Sequence, residues 1–230
     1  TFSFLLIFAM YVFGGFAWLD EFVRTLTNNE LVTSLLFFGI LFFANDLLTT
    51  PFQWYDTFVI ETRFGFNKVT PKLFVLDKLK GWGLEILIGG ILLTVIMLIY
   101  QQTPTYFWLI AWSVVTAFSL FMSFFYSELI VPLFNKQTPL EAGELRNAIE
   151  QFAQKTDFNL KNIYVIDGSK RSTKANAYFT GWGQKKRIVL YDTLIKELST
   201  DEIVAVLAHE IGHNKHKHTL KGMAVSLPMN

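Results

Sequence analysis

His209, Glu210 and His213 stand in the order His-Glu-x-x-His. Histidines four residues apart stack on one face of a helix, where both imidazoles reach a single ion. Tetrahedral zinc takes nitrogen ligands at about 2 Å, and this spacing suits it. Glu210 follows one residue later, about 100° further round the helix. It can flank the metal without being a primary ligand. From there its carboxylate can take a proton from an attacking water and later pass it to a leaving amine. The chemistry the pattern points to is metal-assisted hydrolysis of a peptide bond.

Two ligands leave a catalytic site one short, since three protein ligands plus water are usual. One extended zinc-protease pattern has Gly and a third His where this chain has Lys215 and Thr219, which excludes that class. His216 and His218 follow too closely on the same helix to close a tetrahedron with both others, and read as a hydrated helix end. The remaining option is a Glu on a later helix. The third ligand is therefore expected to lie outside this chain.

The motif needs a rigid carrier. Ser199-Thr200-Asp201-Glu202 is a capping box, and the apolar run from Ile203 to Ala208 continues the helix into the motif. Before it, Ile163–Ile166, Asn176–Thr180 and Arg187–Tyr191 read as short strands, the last two joined by a Gly-rich turn around Gly181 and Gly183. Lys170 to Lys174 form a basic loop. Thr138 reads as the cap of a helix beginning at Pro139, with Leu145, Ile149, Phe152 and Ala153 as its apolar stripe.

Upstream lie four apolar runs, at about 2–19, 31–51, 84–100 and 106–131. About 20 residues carry a helix across the hydrocarbon core, so each run predicts a membrane span. The loops between them alternate in Lys and Arg: Arg24 alone in the first, five from Arg63 to Lys80 in the second, none in the third, and fourteen after Val131. Cytoplasmic loops carry the basic excess, which places the second loop and the C-terminal part in the cytoplasm. Asn45, Asp46 and Glu85 lie in or beside spans. They suit a wet interior chamber, a hydrogen bond between helices or an interfacial position. The expected fold is mainly α, a multi-pass helical membrane domain over residues 1–131 followed by a small α+β protease domain over residues 132–230.

Composition agrees: 52% of the 230 residues are apolar and 24 are Phe, rich for a soluble domain. A formal net charge of +1 gives no global field for nucleic acid. The absence of cysteine excludes disulfides, thiolate nucleophiles and Cys-based zinc sites. The chain starts at Thr1 inside an apolar run without a basic flank and ends at Asn230 without a stop signal, so both ends are expected to be cuts in a longer protein, and no signal peptide is expected.

Several stretches together resemble the integral-membrane CAAX prenyl endopeptidases of type 1, gluzincin-type zinc enzymes that remove the last three residues of prenylated proteins. They are Thr57–Glu61 with Arg63–Lys68, Pro132–Leu140, Gly168–Ser172 with Asn176–Phe179, Arg187–Leu194, and the His209 motif. The resemblance covers nearly the whole chain in order. It implies a ring of seven membrane helices around a water-filled chamber, with the site near the cytoplasmic side. It implies one Zn2+ held by His209 and His213, with Glu210 as general base and a third ligand Glu from an E-x-x-x-D motif beyond this chain. It makes Asn176, Ala177 and Tyr178 a substrate edge that pairs with the peptide backbone. The partners implied are a polypeptide C-terminus carrying a prenyl group and the lipid bilayer, with no nucleic acid.

This segment alone is then expected to be inactive. The membrane would be the endoplasmic reticulum or inner nuclear membrane in a eukaryote and the plasma membrane in a bacterium. The short link from Leu194 to Glu202 hints at a bacterial member. Two other readings remain: a membrane quality-control zinc protease without prenyl dependence, and a non-enzymatic membrane scaffold or transport component.

Overall fold

The structure is a computed structural model and describes residues 2–156, 158, 160–180 and 186–215; for residues 210 and 213–215 it describes the main chain only. The described residues group into two compact units, 1–63 with 71–111, and 64–70 with 112–230. Contacts thus assign the linker 64–70 and most of the last apolar run to the same unit as the C-terminal sheet, whereas composition alone changes at Val131.

The first unit opens with α1 (Phe2–Val12) and α2 (Gly15–Leu26). The first apolar run is not one helix, because the two meet at 73°. Gly14 makes the break with φ 69°, a left-handed conformation that only glycine adopts freely. Asn29 then caps α3 (Glu30–Tyr55), its Oδ1 accepting from the N–H groups of Leu31 and Val32 at 3.0 and 3.1 Å. A π turn, Asp56–Ile60, carries α3 into α4 (Glu61–Arg63) without a break. Likewise α5 (Pro71–Leu84) passes through a π turn, Glu85–Gly89, into α6 (Gly90–Gln102). A single 3₁₀ turn, Pro104–Tyr106, opens α7 (Phe107–Leu129), and α8 (Val131–Phe134) follows.

Among the described residues three helical stretches are long and apolar enough to cross a membrane: Glu30–Arg63, Pro71–Gln102 and Pro104–Phe134, with the bent α1–α2 pair as a fourth if it counts as one span. The first of these has 34 residues, about 50 Å at 1.5 Å per residue, against a hydrocarbon core of about 30 Å. The protein is a multi-pass α-helical membrane protein. Lys72, Lys78 and Lys80, which composition places in a loop, lie on α5.

The second unit holds β1 (Gln137–Pro139), α9 (Glu144–Lys155), β2 (Leu160–Ile166), β3 (Ala177–Thr180), β4 (Lys186–Tyr191), α10 (Asp192–Glu197) and α11 (Thr200–Lys215). The sheet order is β1-β2-β4-β3, with β2 and β4 parallel and the outer pairs antiparallel. One expectation fails here. Thr138 and Pro139 do not start a helix; Gln137–Pro139 pair with Tyr164–Ile166, and the helix begins at Glu144 after Gly143. Long-range pairing overrides the local cap signal, and an edge strand tolerates the proline's missing N–H. The stripe on that helix is buried as expected through Ile149 and Ala153. Ile149 of α9, Ile163, Ile188 and Leu190 of the sheet, Leu194 of α10, and Ile203 and Leu207 of α11 form one core.

Candidate active site

The carrier helix α11 is fixed at its start. The Glu202 carboxylate accepts from the Ser199 N–H and from the Ser199 hydroxyl, each at 2.8 Å. This is the reach-back half of the capping box read from the sequence. These bonds hold the Glu202 carboxyl below its ordinary range. Further along, Ile203 and Leu207 enter the main core, and Ile211 packs with Ala153 and Phe158. Three anchors four residues apart fix one face of the helix. The positions of His209 and His213 fall on the other side, and the His209 side chain is exposed. The side chains of Glu210 and His213, the residues His216 and His218, and the Gly181–Gly183 turn lie outside the described residues.

Two imidazole positions one helical turn apart, in a chain without thiols, are a donor set that suits zinc. Among the described residues no three His, Asp or Glu side chains gather as a metal site.

Strand β3 is an outer strand of the sheet and packs against α11. The Tyr191 N–H donates to the Asn176 carbonyl at 3.0 Å. Hydrogen-bonded and non-bonded pairs alternate in an antiparallel ladder. Tyr178 therefore also bonds toward β4, while the main-chain groups of Ala177 and Phe179 point to the outer edge, with which no described strand pairs. The Asn176 side chain sits at that edge too, its Oδ1 accepting from the Ala177 N–H at 2.8 Å. The Tyr178 side chain is committed elsewhere: its hydroxyl lies 3.0 Å from that of Ser127 on α7. Burial pushes the Tyr178 phenol up, and the Ser127 hydrogen bond offsets only part of this. Of the three expected substrate residues, the edge thus offers Asn176 and Ala177, and Tyr178 by its backbone position in the strand.

The segment leading into β3 is clasped by the linker 64–70. Lys68 N–H donates to Arg171 O, and Thr173 N–H to Phe66 O, both at 3.0 Å. Asn67 and Ser172 form an antiparallel bridge, and the Lys174 ammonium lies 4.8 Å over the Phe66 ring. Asp192 secures the same region from α10. Its carboxylate accepts from the Ser169 N–H at 2.8 Å and from the Ser169 hydroxyl. Burial raises the Asp192 pKa, but the Ser169 bonds and Lys196 outweigh it, so the carboxyl is held below its usual range. Gly168 packs so closely on the Tyr191 ring that a Cβ there would collide with Cδ1.

Two family descriptions match this chain: a CAAX prenyl protease N-terminal region with five membrane helices over residues 1–136, and peptidase family M48 over residues 139–230. The chain belongs to the M48 CAAX prenyl protease family. The M48 chain is 45% identical over 204 residues to the CAAX prenyl protease 1 homolog of Oryza sativa, covering 88% of this chain and 48% of the relative. It is 47% identical over 198 residues to CAAX prenyl protease 1 of Saccharomyces cerevisiae, covering 85% and 44%. The crystal structure of S. mikatae Ste24p superposes with a TM-score of 0.89 at 41% identity, covering 99% of this chain and 54% of that one. The chain spans about half the length of the curated relatives it matches.

The fold match agrees with the expected fold class. What sequence reading missed in this M48 chain is the clasp, since residues 64–70 and 171–174 are distant in sequence and neither has a local signal for pairing. Another omission is the partner of Asp46. Its carboxylate accepts from the Lys78 ammonium at 2.6 and 2.7 Å and from the Trp82 indole N–H at 2.8 Å. For Asp46 the structure shows a contact between helices. Lys78 and Trp82 are four residues apart, a helical spacing that could have suggested a shared partner.

Proposed function

We propose that the whole protein is a zinc-dependent metalloendopeptidase that removes the last three residues of prenylated CAAX proteins, and that His209, Glu210 and His213 carry the reaction. The observation that carries this reading is the His-Glu-x-x-His helix packed against β3, the outer strand of the described sheet. The relatives' names add the substrate class. His209 and His213 would hold the zinc, with a third ligand, a Glu, supplied from outside residues 1–230. When bound, zinc would polarise the scissile carbonyl and acidify a water.

The chain's own residues do the rest. Glu210 takes the proton of the attacking water on its carboxylate and delivers it to the leaving amine. The outer edge at Ala177 and Phe179 orients an extended peptide by strand addition, the Ala177 N–H exchanging its Asn176 bond for one to substrate. The prenyl chain lodges among the apolar spans. The basic C-terminal part supports a protease domain facing the cytoplasm, by the positive-inside rule. In a eukaryotic cell the membrane is that of the endoplasmic reticulum or inner nucleus. Residues 1–230 alone are inactive for want of the third ligand.

The test is cleavage of a farnesylated CAAX peptide by the full-length, zinc-loaded protein, beside the unprenylated peptide and Glu210→Gln. Prenyl-dependent cleavage lost in the variant is expected. Full activity in Glu210→Gln would sink the assignment of the base. Equal cleavage of both peptides would move the function to general membrane proteolysis. A full-length protein that binds no zinc would leave a scaffold.

A further inference from the structure

The apolar side of α2 is broad, and only one edge of it is buried. Leu19 and Val23 are buried, and α2 packs on α3, where Thr33 is buried. Trp18, Phe22 and Leu26 form a second stripe at successive four-residue steps, with 66, 44 and 58% of their surface exposed. The Trp18 and Phe22 rings stack in parallel with centroids 5.8 Å apart. The remaining side is charged. Arg24 pairs with Asp20 at 2.9 Å and with Glu30 at 3.0 Å, all three exposed, which ties the polar side of α2 to the start of α3.

The neighbours of α2 say what covers the stripe. The helix is joined by Gly14 to the apolar α1 and by three residues to α3, which opens one of the membrane-length stretches. The helix turns 73° from α1 and carries Asp20, the first charged residue of the sequence, which suits a place at the membrane boundary. There an aromatic stripe and an ionic side on one helix suit a position in the plane of the bilayer, with Trp at headgroup level. We propose that α2 is an interfacial helix lying along the membrane surface. Trp18, Phe22 and Leu26 sink into the boundary between headgroups and acyl chains, and Asp20, Glu21 and Arg24 face water. Its partner is the lipid bilayer. The bend at Gly14 sets the direction of α2, and the Arg24 pairs link its polar side to the start of α3.

The absence of cysteine from these 230 residues makes the test clean. Single cysteines at positions 18, 22 and 26, and at 20 and 24 as controls, are spin-labelled in the full-length protein, with any cysteine elsewhere replaced by serine. The protein is reconstituted in vesicles of zwitterionic lipid, and collision with oxygen and with a water-soluble nickel chelate is measured. The expected result is high oxygen and low nickel accessibility at 18, 22 and 26, with the reverse at 20 and 24. Low accessibility to both reagents along the stripe would show that protein covers it and overturn the proposal. High nickel accessibility there would place the stripe in water and overturn it equally. If Trp18→Cys fails to fold, positions 22 and 26 report the same stripe.

Discussion

The hydroxyl of Tyr178 lies 3.0 Å from that of Ser127, joining the outer strand β3 to the end of α7. Ser127 is buried, so its hydroxyl depends on this partner. Tyr178→Phe keeps the ring and its edge contact with Tyr191 but leaves the serine unpaired there. The expected cost is about 1 kcal/mol of stability. A thermal melt of full-length protein in detergent should show a lowered midpoint with the fold intact, while peptide cleavage loses apparent affinity more than turnover. An unchanged midpoint would remove Tyr178 from the support of β3.

Gly168 tests the packing behind the same strand. An added Cβ meets the Tyr191 ring edge, and Tyr191 in turn lies on Tyr178. Gly168→Ala must push the ring aside, costing about 1–3 kcal/mol as an overpacked core does. Gly168→Ala combined with Tyr191→Leu should recover much of this loss, because the leucine lacks the ring edge that the methyl strikes. Equal melting of wild type and Gly168→Ala would mean the ring moves without cost.

Asp192 makes a pH-dependent contribution. Its folded pKa is depressed, with the Ser169 bonds overcoming the effect of burial. A depressed carboxylate stabilises the fold above its unfolded pKa of about 3.9. That stabilisation is lost as pH falls through the lower, folded value. The stability gap between wild type and Asp192→Asn should therefore be largest near neutral pH and shrink on acidification below about pH 4. Denaturant titrations across that window check it; a gap independent of pH would exclude the carboxylate charge as its source.

The Asp46–Lys78 pair lies between apolar helices, with 19% and 15% side-chain exposure. Removing one partner leaves the other charge part-buried and unpaired, which costs about 1–3 kcal/mol. Lys78→Met should therefore unfold the protein in detergent at markedly lower temperature. Replacing both, with Asp46→Leu and Lys78→Met, should restore part of the loss despite leaving the Trp82 indole without its acceptor. A double variant as poor as the single one would show that the charges are needed for something other than each other.

The parts of this fold written in local pattern were legible. The His209 helix announced itself through its capping box, its apolar spacing and its metal-ligand spacing, which all act within one helix. The apolar runs that became α3, α6 and α7 depend only on composition over about 20 residues. What depends on distant partners was not legible. Thr138 and Pro139 carry a helix-start signal that the β2 ladder overrules. Lys78 looked like a loop charge because its counter-ion is on another helix. Phe66 and Lys174 gave no hint of each other, although Phe66 lies within a stretch that marks the family resemblance and Lys174 falls between two others.

The two π turns give the membrane helices a property of their own. At Asp56–Ile60 the Glu61 N–H reaches back five residues to the Asp56 carbonyl, so the helix carries one residue more than a regular ladder needs. One surplus residue shifts the phase of every later side chain by about 100°. The stripe that α3 shows its neighbours before the turn is therefore not continued by the residues after it. Each of the two stretches that hold a π turn, Glu30–Arg63 and Pro71–Gln102, has separate rotational settings before and after it. Deleting a single residue within either turn would restore a regular helix and swing the far segment to a new set of neighbours, while leaving the length and hydrophobicity of the span almost unchanged.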